Sequence, residues 1–345
     1  MQMNRRSLLK AASAATATTV LGVPTLVLAQ NPIKWRVQVL WGAGEDTYAM
    51  FQTFCDNVKK NTGGRMEITP FSAGAIVGTF ETLDAVGQNV IQGHSTYPGY
   101  FAGKEAALAV IGDFAFGYTE PSQQNAWLHE KGGMDMIRQA YDKFNAYTVG
   151  CTWWGVESLA CKVPVRTPDD FKGLKHRGAQ GLAAETIAKM GASIVVIPGG
   201  EAYSALEKGI VDTVDWSTLS VNNKIGFFEI AKYATYPGFH SMPIQDFTVN
   251  KGAWKALPDD IKGIVEKTWN EFSAYQIAAI AKNDEAIVPE VKAKGVELIA
   301  WSDESRMRGR QLAHEVWEEW AKKSPLAKAA VESQRDYLRE IKLLA

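Results

Sequence analysis

The sequence has few of the features on which several classes of protein depend. Its 345 residues include three cysteines and five histidines, and its 37 basic residues nearly balance 38 acidic ones. No long basic run is present, which argues against a nucleic-acid-binding protein. With 46% hydrophobic and 22% charged residues, the chain is typical of a globular protein rather than a disordered or collagen-like one. Its length predicts two domains.

Signatures of catalysis are also missing. The sequence contains no His-Glu-x-x-His, Gly-x-Ser-x-Gly, Cys-x-x-Cys or phosphate-loop motif. The histidines are scattered without the spacing of metal ligands, and only His94 and His240 fall near the cleft predicted below. Either could act as a general base, but a structural role is the favoured interpretation in the absence of a nucleophile.

The first 29 residues have the pattern of a cleaved export signal. A basic start at residues 4–10 (NRRSLLK) precedes an acid-free apolar stretch that ends at Ala29. The stretch is 19 residues long and contains Gly22 and Pro24, which argues against a permanent membrane helix. We predict cleavage after Ala29 and a periplasmic mature protein with a formal charge of about −4. The paired arginines resemble a twin-arginine signal, with the general secretory route as the alternative.

The mature chain contains three cysteines, Cys55, Cys151 and Cys161. An oxidising compartment permits one disulfide, for which Cys151 and Cys161 are the favoured pair. The preferred interpretation is three buried thiols, because a core of this size needs no covalent cross-link. No redox function is predicted.

The first half of the mature chain alternates strands and helices. Residues 35–39 alternate apolar and polar side chains as a half-buried strand does, and a helix capped by Asp46 follows. Further strands are predicted at residues 66–69 and 90–96, with a helix over 76–86 between them. The resulting βαβαβ order predicts a mainly parallel open sheet.

The same order returns in the second half. Strands are predicted at residues 174–177, 193–197 and 211–216, and the intervening helices place Ala183, Ile187 and Met190, then Tyr203, Leu206 and Ile210, on their buried faces. The chain is therefore expected to form two open α/β lobes. Apolar stretches at 147–154 and 158–163 are expected to be strands that cross between the lobes as a hinge.

The C-terminal third is predicted to be helical. A helix from Asp259 to Ala286, ended by Pro289, would be about 45 Å long, enough to lie across both lobes. Two further helices, separated by Ser324-Pro325, carry apolar faces that need a partner. We therefore assign residues 1–29 to the export signal, 30–153 plus about 243–283 to the first lobe, and 154–242 plus about 284–345 to the second lobe and C-terminal helices.

A ligand site is expected where the strands end. In open α/β sheets ligands bind at the carboxyl ends of the strands, which nominates Trp41, Tyr97, Arg177, Asp215 and Trp216. Arg177 is the sharpest candidate, because a guanidinium binds a carboxylate through two parallel hydrogen bonds and stays charged. An anionic ligand is implied.

Each of these candidates also has a structural alternative. Arg177 could form a structural ion pair, Asp215 could close a turn, and the aromatic residues, including Trp154, could belong to the core. Gly199-Gly200 before a helix could cradle a carboxylate, although paired glycines there more often form a turn.

Three stretches of the sequence resemble the solute-binding proteins of tripartite ATP-independent periplasmic (TRAP) transporters. They are residues 167–177 (TPDDFKGLKHR), 198–212 (PGGEAYSALEKGIVD) and 250–258 (NKGAWKALP), and the resemblance covers nearly all of the mature chain. It implies a periplasmic binding protein-like fold, no catalytic activity, and delivery of a bound solute to the membrane permease. In that family, the arginine at the position of Arg177 clamps the carboxylate of an organic acid.

Two further segments resemble one branch of that family. Asp215-Trp216 and residues 236–240 (YPGFH) are similar to the branch that binds 2-oxo or 2-hydroxy monocarboxylates with a metal ion. The metal ligands that the resemblance implies are Glu157, Asp215, Trp216 and Gln245. The substrate contacts that it implies are Arg177, Trp41, Tyr97, Trp154, Glu157, Trp216 and His240. Members of the branch tend to carry Gln near Glu157 and Glu in place of Asp215, so the identity of the metal is open.

The balance of charge in such a site favours a divalent ion. Glu157, Asp215 and a ligand carboxylate carry three negative charges against one positive charge on Arg177, and a buried excess of two would be costly. Calcium would cancel that excess, whereas sodium, the alternative, would leave one charge. The predicted ligand is lactate, pyruvate or another 2-oxo or 2-hydroxy acid.

Other interpretations are a larger aromatic or sugar acid as ligand, or a secreted metal-dependent lyase or hydrolase that uses Glu157, Asp215 and His240. The long terminal helices suggest, as in the oxo-acid branch, a homodimer formed by exchanged helices. No nucleic-acid partner is expected.

Overall fold

The structure, a computed structural model, describes residues 31–344. The predicted export signal and its cleavage point lie outside the described residues. Within the described part of the chain, no helix is both long enough and apolar enough to span a membrane.

The strands form two β-sheets. They are β1 (Ile33–Val39), β2 (Met66–Phe71), β3 (Gly93–Thr96), β4 (Ala146–Trp153), β5 (Ser158–Cys161), β6 (Lys175–Gly178), β7 (Ser193–Val196), β8 (Thr213–Ser217), β9 (Tyr233–Thr235), β10 (Ile244–Asn250) and β11 (Glu297–Ile299). The first sheet has the order β2-β1-β3-β10-β4 and the second the order β11-β9-β5-β8-β6-β7. Each predicted βαβαβ segment therefore contributes three strands to its own sheet.

Helices surround both sheets. They are α1 (Asp46–Asn61), α2 (Thr82–Gly87), α3 (Ala106–Gly112), α4 (Pro121–Glu130), α5 (Gly133–Asp142), α6 (Leu182–Lys189), α7 (Gly199–Glu207), α8 (Leu219–Ile225), α9 (Phe227–Ile230), α10 (Lys251–Lys255), α11 (Asp259–Ala293), α12 (Asp303–Ala321) and α13 (Pro325–Glu340). Short 3₁₀ turns occur at Thr79–Glu81, Pro98–Phe101 and Pro168–Phe171.

The first sheet is parallel only in part. Strand β1 pairs in parallel with β2 and β3, as the βαβαβ order predicts. Strand β10, from much later in the chain, pairs antiparallel with both β3 and β4 and so joins them. The second sheet is built similarly, with β6 parallel to β7 and β8, and β5 antiparallel to β8 and β9.

The crossing between the sheets differs from the prediction. Strands were expected to run from one lobe to the other over residues 147–154 and 158–163, but β4 stays in the first sheet and β5 in the second. The short link 154–157 makes the crossing, and Gly155 in it has a φ of 110°, which favours glycine. The lobe boundaries assigned from the sequence stay a prediction.

Several predicted element boundaries are wrong. Strand β3 begins at Gly93 rather than at residue 90, because Asn89 has a φ of 58° and turns the chain there. The predicted helix over 76–86 is a 3₁₀ turn followed by α2, and Ile76 precedes both. Asp46 is the first helical residue of α1 rather than its cap, a position held by Glu45. Ile210, expected on a buried helix face, lies beyond α7 and is 51% exposed.

The long helix α11 contacts elements next to both sheets, as its predicted length suggests. Near its middle, the side-chain amide of Gln276 donates to the carbonyl of Trp153 at the end of β4 (3.2 Å). Further along, Asp284 accepts hydrogen bonds from the Thr218 hydroxyl (2.9 Å) and the Ser220 backbone N–H (2.7 Å), at the start of α8. The helix therefore links the first sheet to the second.

Proline does not end α11, contrary to the prediction. The helix continues through Pro289 to Ala293, so its 35 residues include one that cannot donate a backbone hydrogen bond. Because proline has no N–H, the backbone carbonyl one turn before Pro289 lacks its helical hydrogen bond. Pro289 is exposed to solvent, so water can bind that carbonyl instead.

The C-terminal helices bury their apolar faces within the same chain. Trp317 of α12 stacks on Phe114, with ring centroids 4.1 Å apart, and donates its indole N–H to the carbonyl of Ala115 (3.1 Å). In α13, Gln334 donates to the carbonyl of Val110 in α3 (3.0 Å). These contacts supply the partner that the apolar faces required. The homodimer through exchanged helices stays a prediction.

The cysteines agree with the preferred interpretation. Cys55, Cys151 and Cys161 are buried free thiols, and burial raises the pKa of each of them. The favoured disulfide between Cys151 and Cys161 is not formed, because the two residues lie in different sheets.

Replacing Pro289 should stabilise the protein. A proline inside a helix costs about 3 kcal/mol, and Pro289→Ala restores the missing backbone donor, so we expect the free energy of unfolding to rise by about 1–3 kcal/mol. Denaturant unfolding of the mature chain measures this change. The control Ala286→Pro, at an exposed position one turn earlier, should lower the stability by a similar amount. Unchanged or lower stability in Pro289→Ala would contradict a helix that continues through residue 289.

Candidate functional site

A cavity lies between the two sheets. Its wall contains residues at or beyond the ends of β1, β3, β4, β6 and β8, as expected for an open α/β sheet. The lining residues are Leu40, Tyr97, Tyr100, Asp113, Trp154, Glu157, Arg177, Ala179, Gly181, Ala183, Asp215, Trp216, Ser241 and Pro243.

Arg177 lies in the wall of this cavity and is 2% exposed. Its Nε and Nη2 donate to the carbonyl of Ile197 (3.2 and 2.9 Å), and its Nη1 donates to the carbonyl of Asp215. Backbone carbonyls thus orient the guanidinium, and no carboxylate of the described residues pairs with it, contrary to the structural alternative. A guanidinium has five N–H donors, so two remain after these three bonds, and the Tyr100 hydroxyl in the same wall lies close to the guanidinium.

Glu157, Asp215 and His240 form a buried cluster beside the arginine. One ligand atom from each lies within 4.8 Å of the others. The Nε2 of His240 is 3.2 Å from Oδ2 of Asp215, while Oδ1 of Asp215 is buried without a hydrogen-bond partner among the described residues. Two carboxylates with an unpartnered oxygen fit a hard divalent cation such as calcium. The same three residues were grouped in the sequence analysis, as the site of the metal-dependent enzyme alternative.

The two carboxyl groups of this cluster respond differently to burial. Burial raises the pKa of Glu157 well above its usual value, and the neighbouring Asp215 raises it further. Burial alone would also raise the pKa of Asp215, but the adjacent His240 lowers it below its usual value. The structure therefore favours one ionised carboxylate at Asp215 and a neutral carboxyl at Glu157 when no cation is bound.

Asp113 is a third buried acid in the wall, and the sequence prediction missed it. Its Oδ1 accepts the backbone N–H of Met242 (3.1 Å), and its Oδ2 lies 2.8 Å from the hydroxyl of Ser241. Burial raises the pKa of Asp113 to about 6 despite these hydrogen bonds. One signal could have identified it, because Asp113 is the single charged residue in the apolar stretch 106–116 (AALAVIGDFAF).

One serine lies between two of these acids. The Ser241 hydroxyl is 2.8 Å from Oδ2 of Asp113 and also 2.8 Å from Oε2 of Glu157. A hydroxyl donates only one hydrogen. One of the two contacts must therefore use a proton carried by a carboxyl group when no cation is bound.

Tryptophans form the apolar part of the wall. Trp154 and Trp216 line the cavity, and Trp154 donates its indole N–H to Oε1 of Glu157 (3.1 Å). Trp41 packs edge-on against both, with centroids 5.0 Å from Trp154 and 5.6 Å from Trp216. Trp41 is fully buried and is not among the lining residues, and its predicted contact with the ligand stays a prediction.

Gln245 is not placed to bind the metal through its side chain. Its Oε1 accepts hydrogen bonds from Trp41 (3.3 Å) and Gln276 (3.1 Å), and its Nε2 donates to Ser95 (2.8 Å). It is fully buried and does not line the cavity. Its polar atoms support Trp41 and the long helix, and its predicted role as a metal ligand stays a prediction.

The other buried histidines lie outside the cavity wall. His94 stacks on Phe101, with centroids 5.3 Å apart, and its Nδ1 is 3.2 Å from the Thr82 hydroxyl. His176 neighbours Arg177 in the strand, and burial lowers its pKa to about 3. The contacts of His94 agree with the structural role favoured for it, which stays a prediction.

Glu45 is another residue that the sequence analysis missed. Its Oε1 accepts the backbone N–H of Gly42 (2.6 Å), and burial raises its pKa to about 7. The indole N–H of Trp216, on the second sheet, approaches this carboxyl group. Next to it, Asp46 and Lys224 form an ion pair between α1 and α8 (3.6 Å). Glu45 therefore lies at the contact between the two lobes.

Comparison with known proteins identifies the family. Residues 38–324 match the family model described as bacterial extracellular solute-binding protein, family 7. The chain belongs to this family. A curated relative from Nostoc sp., a monocarboxylate 2-oxoacid-binding periplasmic protein, is 31% identical over 98% of this chain and 95% of its own length.

Two solved structures show the same fold. A TRAP transporter solute-binding protein from Bordetella bronchiseptica is 27% identical, with a TM-score of 0.85 over 90% of this chain and 94% of its own, and contains copurified calcium and picolinate. A counterpart from Colwellia psychrerythraea, with bound calcium and pyruvate, is 25% identical, with a TM-score of 0.83 over 91% of this chain and 96% of its own.

These findings confirm the predicted TRAP family and the two-lobed α/β fold. Members of the family are solute-binding components of transporters rather than enzymes. The alternative of a secreted metal-dependent lyase or hydrolase is therefore not supported.

Gly199 positions Trp216 rather than a ligand carboxylate. A Cβ on Gly199 would lie 1.7 Å from the Trp216 ring, whereas a Cβ on Gly200 would meet no atom within 4 Å. Glycine at residue 199 thus leaves room for the indole ring that forms the cavity wall. The carboxylate cradle proposed for this pair is replaced by a packing role.

Substitution of these neighbouring glycines should have opposite outcomes. Gly199→Ala must displace Trp216, so we expect a loss of about 1–3 kcal/mol in unfolding free energy and a changed near-ultraviolet circular dichroism spectrum. Gly200→Ala, the matched control, should leave both within error or slightly stabilise α7. Equal behaviour of the two variants would contradict the contact between Gly199 and Trp216.

Proposed function

We propose that the protein binds a small 2-oxo or 2-hydroxy monocarboxylate, such as pyruvate or lactate, together with a metal ion, and delivers it to a TRAP membrane permease. The observation that carries this proposal is a buried arginine, held by backbone carbonyls rather than by an acid, in the same cavity as the Glu157–Asp215 pair. The Nostoc and Colwellia relatives, named for 2-oxoacids and for calcium with pyruvate, support it.

The chemistry of the cavity divides between a cationic and an acidic part. The free N–H groups of Arg177 would bind the ligand carboxylate, and its fixed geometry would select a planar group. Glu157 and Asp215 would hold the cation, with Trp216 as the further ligand that the family resemblance implies. A bound cation would then coordinate the ligand carboxylate and the oxygen on the adjacent carbon, which distinguishes 2-oxo and 2-hydroxy acids from simple carboxylic acids.

The charges in the cavity support calcium over sodium. Glu157, Asp215 and one ligand carboxylate give three negative charges, and Arg177 gives one positive charge. With a neutral His240 and a protonated Asp113, a divalent ion neutralises the remaining two, whereas sodium leaves one uncompensated in a buried site. Asp215, whose pKa is lowered by His240, is ready to ligate without first losing a proton.

The location and the partners form part of the proposal. The basic and apolar residues 1–29 support export to the periplasm, where the family acts. The two halves would close over the ligand by a hinge at residues 154–157, with contacts from both halves driving closure. A homodimer through the C-terminal helices remains part of the proposal.

An aromatic acid is a second candidate ligand. The indole rings of Trp154 and Trp216 in the wall, and the picolinate found in the Bordetella relative, favour it. Picolinate resembles a 2-oxo acid in placing a metal-binding atom next to its carboxylate. A thermal-shift panel of pyruvate, lactate, 2-oxobutanoate, picolinate and glucuronate would separate the candidates by which acids raise the melting temperature.

Replacement of the arginine tests the clamp. Arg177→Met should weaken pyruvate binding at least tenfold in isothermal titration calorimetry, because a charge-assisted hydrogen-bond pair is lost. Arg166→Met, which removes an exposed arginine paired with Glu297, is the matched control and should leave the affinity unchanged. Unaltered affinity in a folded Arg177→Met protein would refute the clamp.

Removal of the metal tests the cation site proposed at Glu157 and Asp215. Protein purified without chelator should contain about one calcium ion per chain, and treatment with EDTA should reduce pyruvate affinity at least tenfold until calcium, but not sodium, is restored. Asp215→Asn should lose the ion, while Asp169→Asn, at an exposed acid paired with Arg308, should retain it. Full affinity in calcium-free protein would overturn the metal proposal.

A further inference from the structure

The indole ring of Trp216 lies between the two lobes. Trp216 belongs to β8 of the second sheet, and its ring packs edge-on against Trp41, which follows β1 of the first sheet. The indole N–H of Trp216 is buried and has no hydrogen-bond partner among the described residues. A buried tryptophan N–H normally has a partner, because leaving it unpaired costs free energy. An acceptor for this donor is therefore expected nearby.

Glu45 presents such an acceptor from the first lobe. It directly precedes α1, and its Oε1 accepts the backbone N–H of Gly42 (2.6 Å). Its Oε2 is buried without a hydrogen-bond partner in the described part of the chain, and the indole N–H of Trp216 approaches this carboxyl group. An unpaired donor and an unpaired acceptor thus come together from opposite lobes, without yet meeting the geometry of a hydrogen bond.

A second polar contact between the lobes lies beside this one and is weaker. Asp46 forms an ion pair with Lys224 of α8 at 3.6 Å, and the two side chains are 59% and 55% exposed. Exposed ion pairs contribute little, because water and salt screen them. A hydrogen bond to the buried oxygen of Glu45 would contribute more, because its surroundings exclude water.

The arrangement of the lobes is more similar to a ligand-bound relative than to an open one. A TRAP solute-binding protein from Rhodobacter sphaeroides, in its open form without ligand, is 32% identical, with a TM-score of 0.73 over 90% of this chain and 99% of its own. The calcium- and pyruvate-bound Colwellia counterpart is 25% identical, yet its TM-score is 0.83. Glu45 and Trp216 thus approach each other in a closed arrangement, and opening of the cleft would separate them because they lie on different lobes.

We propose that Glu45 is a positioning residue that holds the cleft closed over the ligand, because its free carboxyl oxygen accepts the indole N–H of Trp216 when the lobes close fully. This inference rests on the proposed function, since it takes the cleft to close over a bound acid. The hydrogen bond pairs two buried groups at once, so it favours the closed state and slows release of the ligand. Glu45 does not line the cavity and acts through Trp216, which does.

The substitution Glu45→Gln removes one acceptor and keeps the shape of the side chain. A carboxylate offers one oxygen to the Gly42 N–H and one to the Trp216 N–H. An amide has a single oxygen and must turn its NH₂ group towards one of these two donors. Asp46→Asn, the matched control, removes the same charge from the adjacent residue and breaks the exposed ion pair with Lys224.

Calorimetric titration with pyruvate at pH 8 and excess calcium measures the effect. At this pH the Glu45 carboxyl, whose pKa burial raises to about 7, is mainly ionised. We expect Glu45→Gln to bind pyruvate about five- to tenfold more weakly than the wild type, with faster release in stopped-flow fluorescence. Asp46→Asn should change the affinity by less than about twofold. The melting temperature of ligand-free Glu45→Gln should not fall, because the hydrogen bond forms only on closure.

A second background separates this hydrogen bond from other effects of Glu45. Trp216→Phe keeps an aromatic ring in the cavity wall but removes the indole N–H. In that background, Glu45→Gln should change pyruvate affinity by less than about twofold, because the partner is already missing. If Trp216→Phe does not fold, the release rates of Glu45→Gln and Asp46→Asn decide.

Three results would overturn this inference and leave the proposed function intact. They are unchanged pyruvate affinity and release in Glu45→Gln, an equal loss in Asp46→Asn, and an equal loss from Glu45→Gln with and without the Trp216 indole. A lower melting temperature of ligand-free Glu45→Gln with unchanged affinity would make Glu45 purely structural and overturn it as well. Wild-type protein that binds neither pyruvate nor another monocarboxylate overturns the proposed function and this inference with it.

Discussion

An excess of buried negative charge is the constraint on which the site depends. Asp113, Glu157 and Asp215 are all within the wall of one cavity, and a single arginine faces them. Burial of like charges at such short range is unfavourable unless protons or cations intervene. A raised pKa at Glu157 and at Asp113 and the contact between Asp215 and His240 reduce this excess. The same cluster of acids could hold a metal ion.

The arginine remains available because backbone carbonyls, not acids, hold it. An ion pair with a neighbouring carboxylate would consume the donors that a ligand needs, but Arg177 is oriented by the carbonyls of Ile197 and Asp215. Its guanidinium also lies 5.3 Å from the ring of Trp216, which adds a cation–π contact. Gly199 in turn leaves space for that ring. The position of the Arg177 side chain thus depends on strand β8, on the loop after β7 and on the first residue of α7.

Sequence reasoning predicted the features that follow from local patterns. The alternation in β1, the periodicity of α1 and the repeated βαβαβ order identify two α/β halves, and the strand-end rule brings Arg177, Asp215, Trp216 and Tyr97 into one place. It missed what depends on distant pairing. Asp113 enters the site only because α3 packs beside the cavity, and Gln245 leaves it because Trp41 and Gln276 engage its amide. Likewise, Pro289 marks a helix end in local terms, but solvent exposure lets α11 continue.

The position of β10 has a consequence for how the chain must assemble. This strand lies between β3 and β4. The hydroxyls of Thr148 in β4 and Thr248 in β10 are 2.9 Å apart, although the two residues are 100 positions apart in the sequence. Until residue 250 has been synthesised, β4 has no neighbour in its sheet, so the amino-terminal portion cannot complete its hydrophobic core as a separate early unit. Most strands of the second sheet, β5 to β9, lie between β4 and β10 in the sequence. The two lobes must therefore fold together, late in synthesis. Pairing between strands so distant in sequence gives a high contact order, which slows folding.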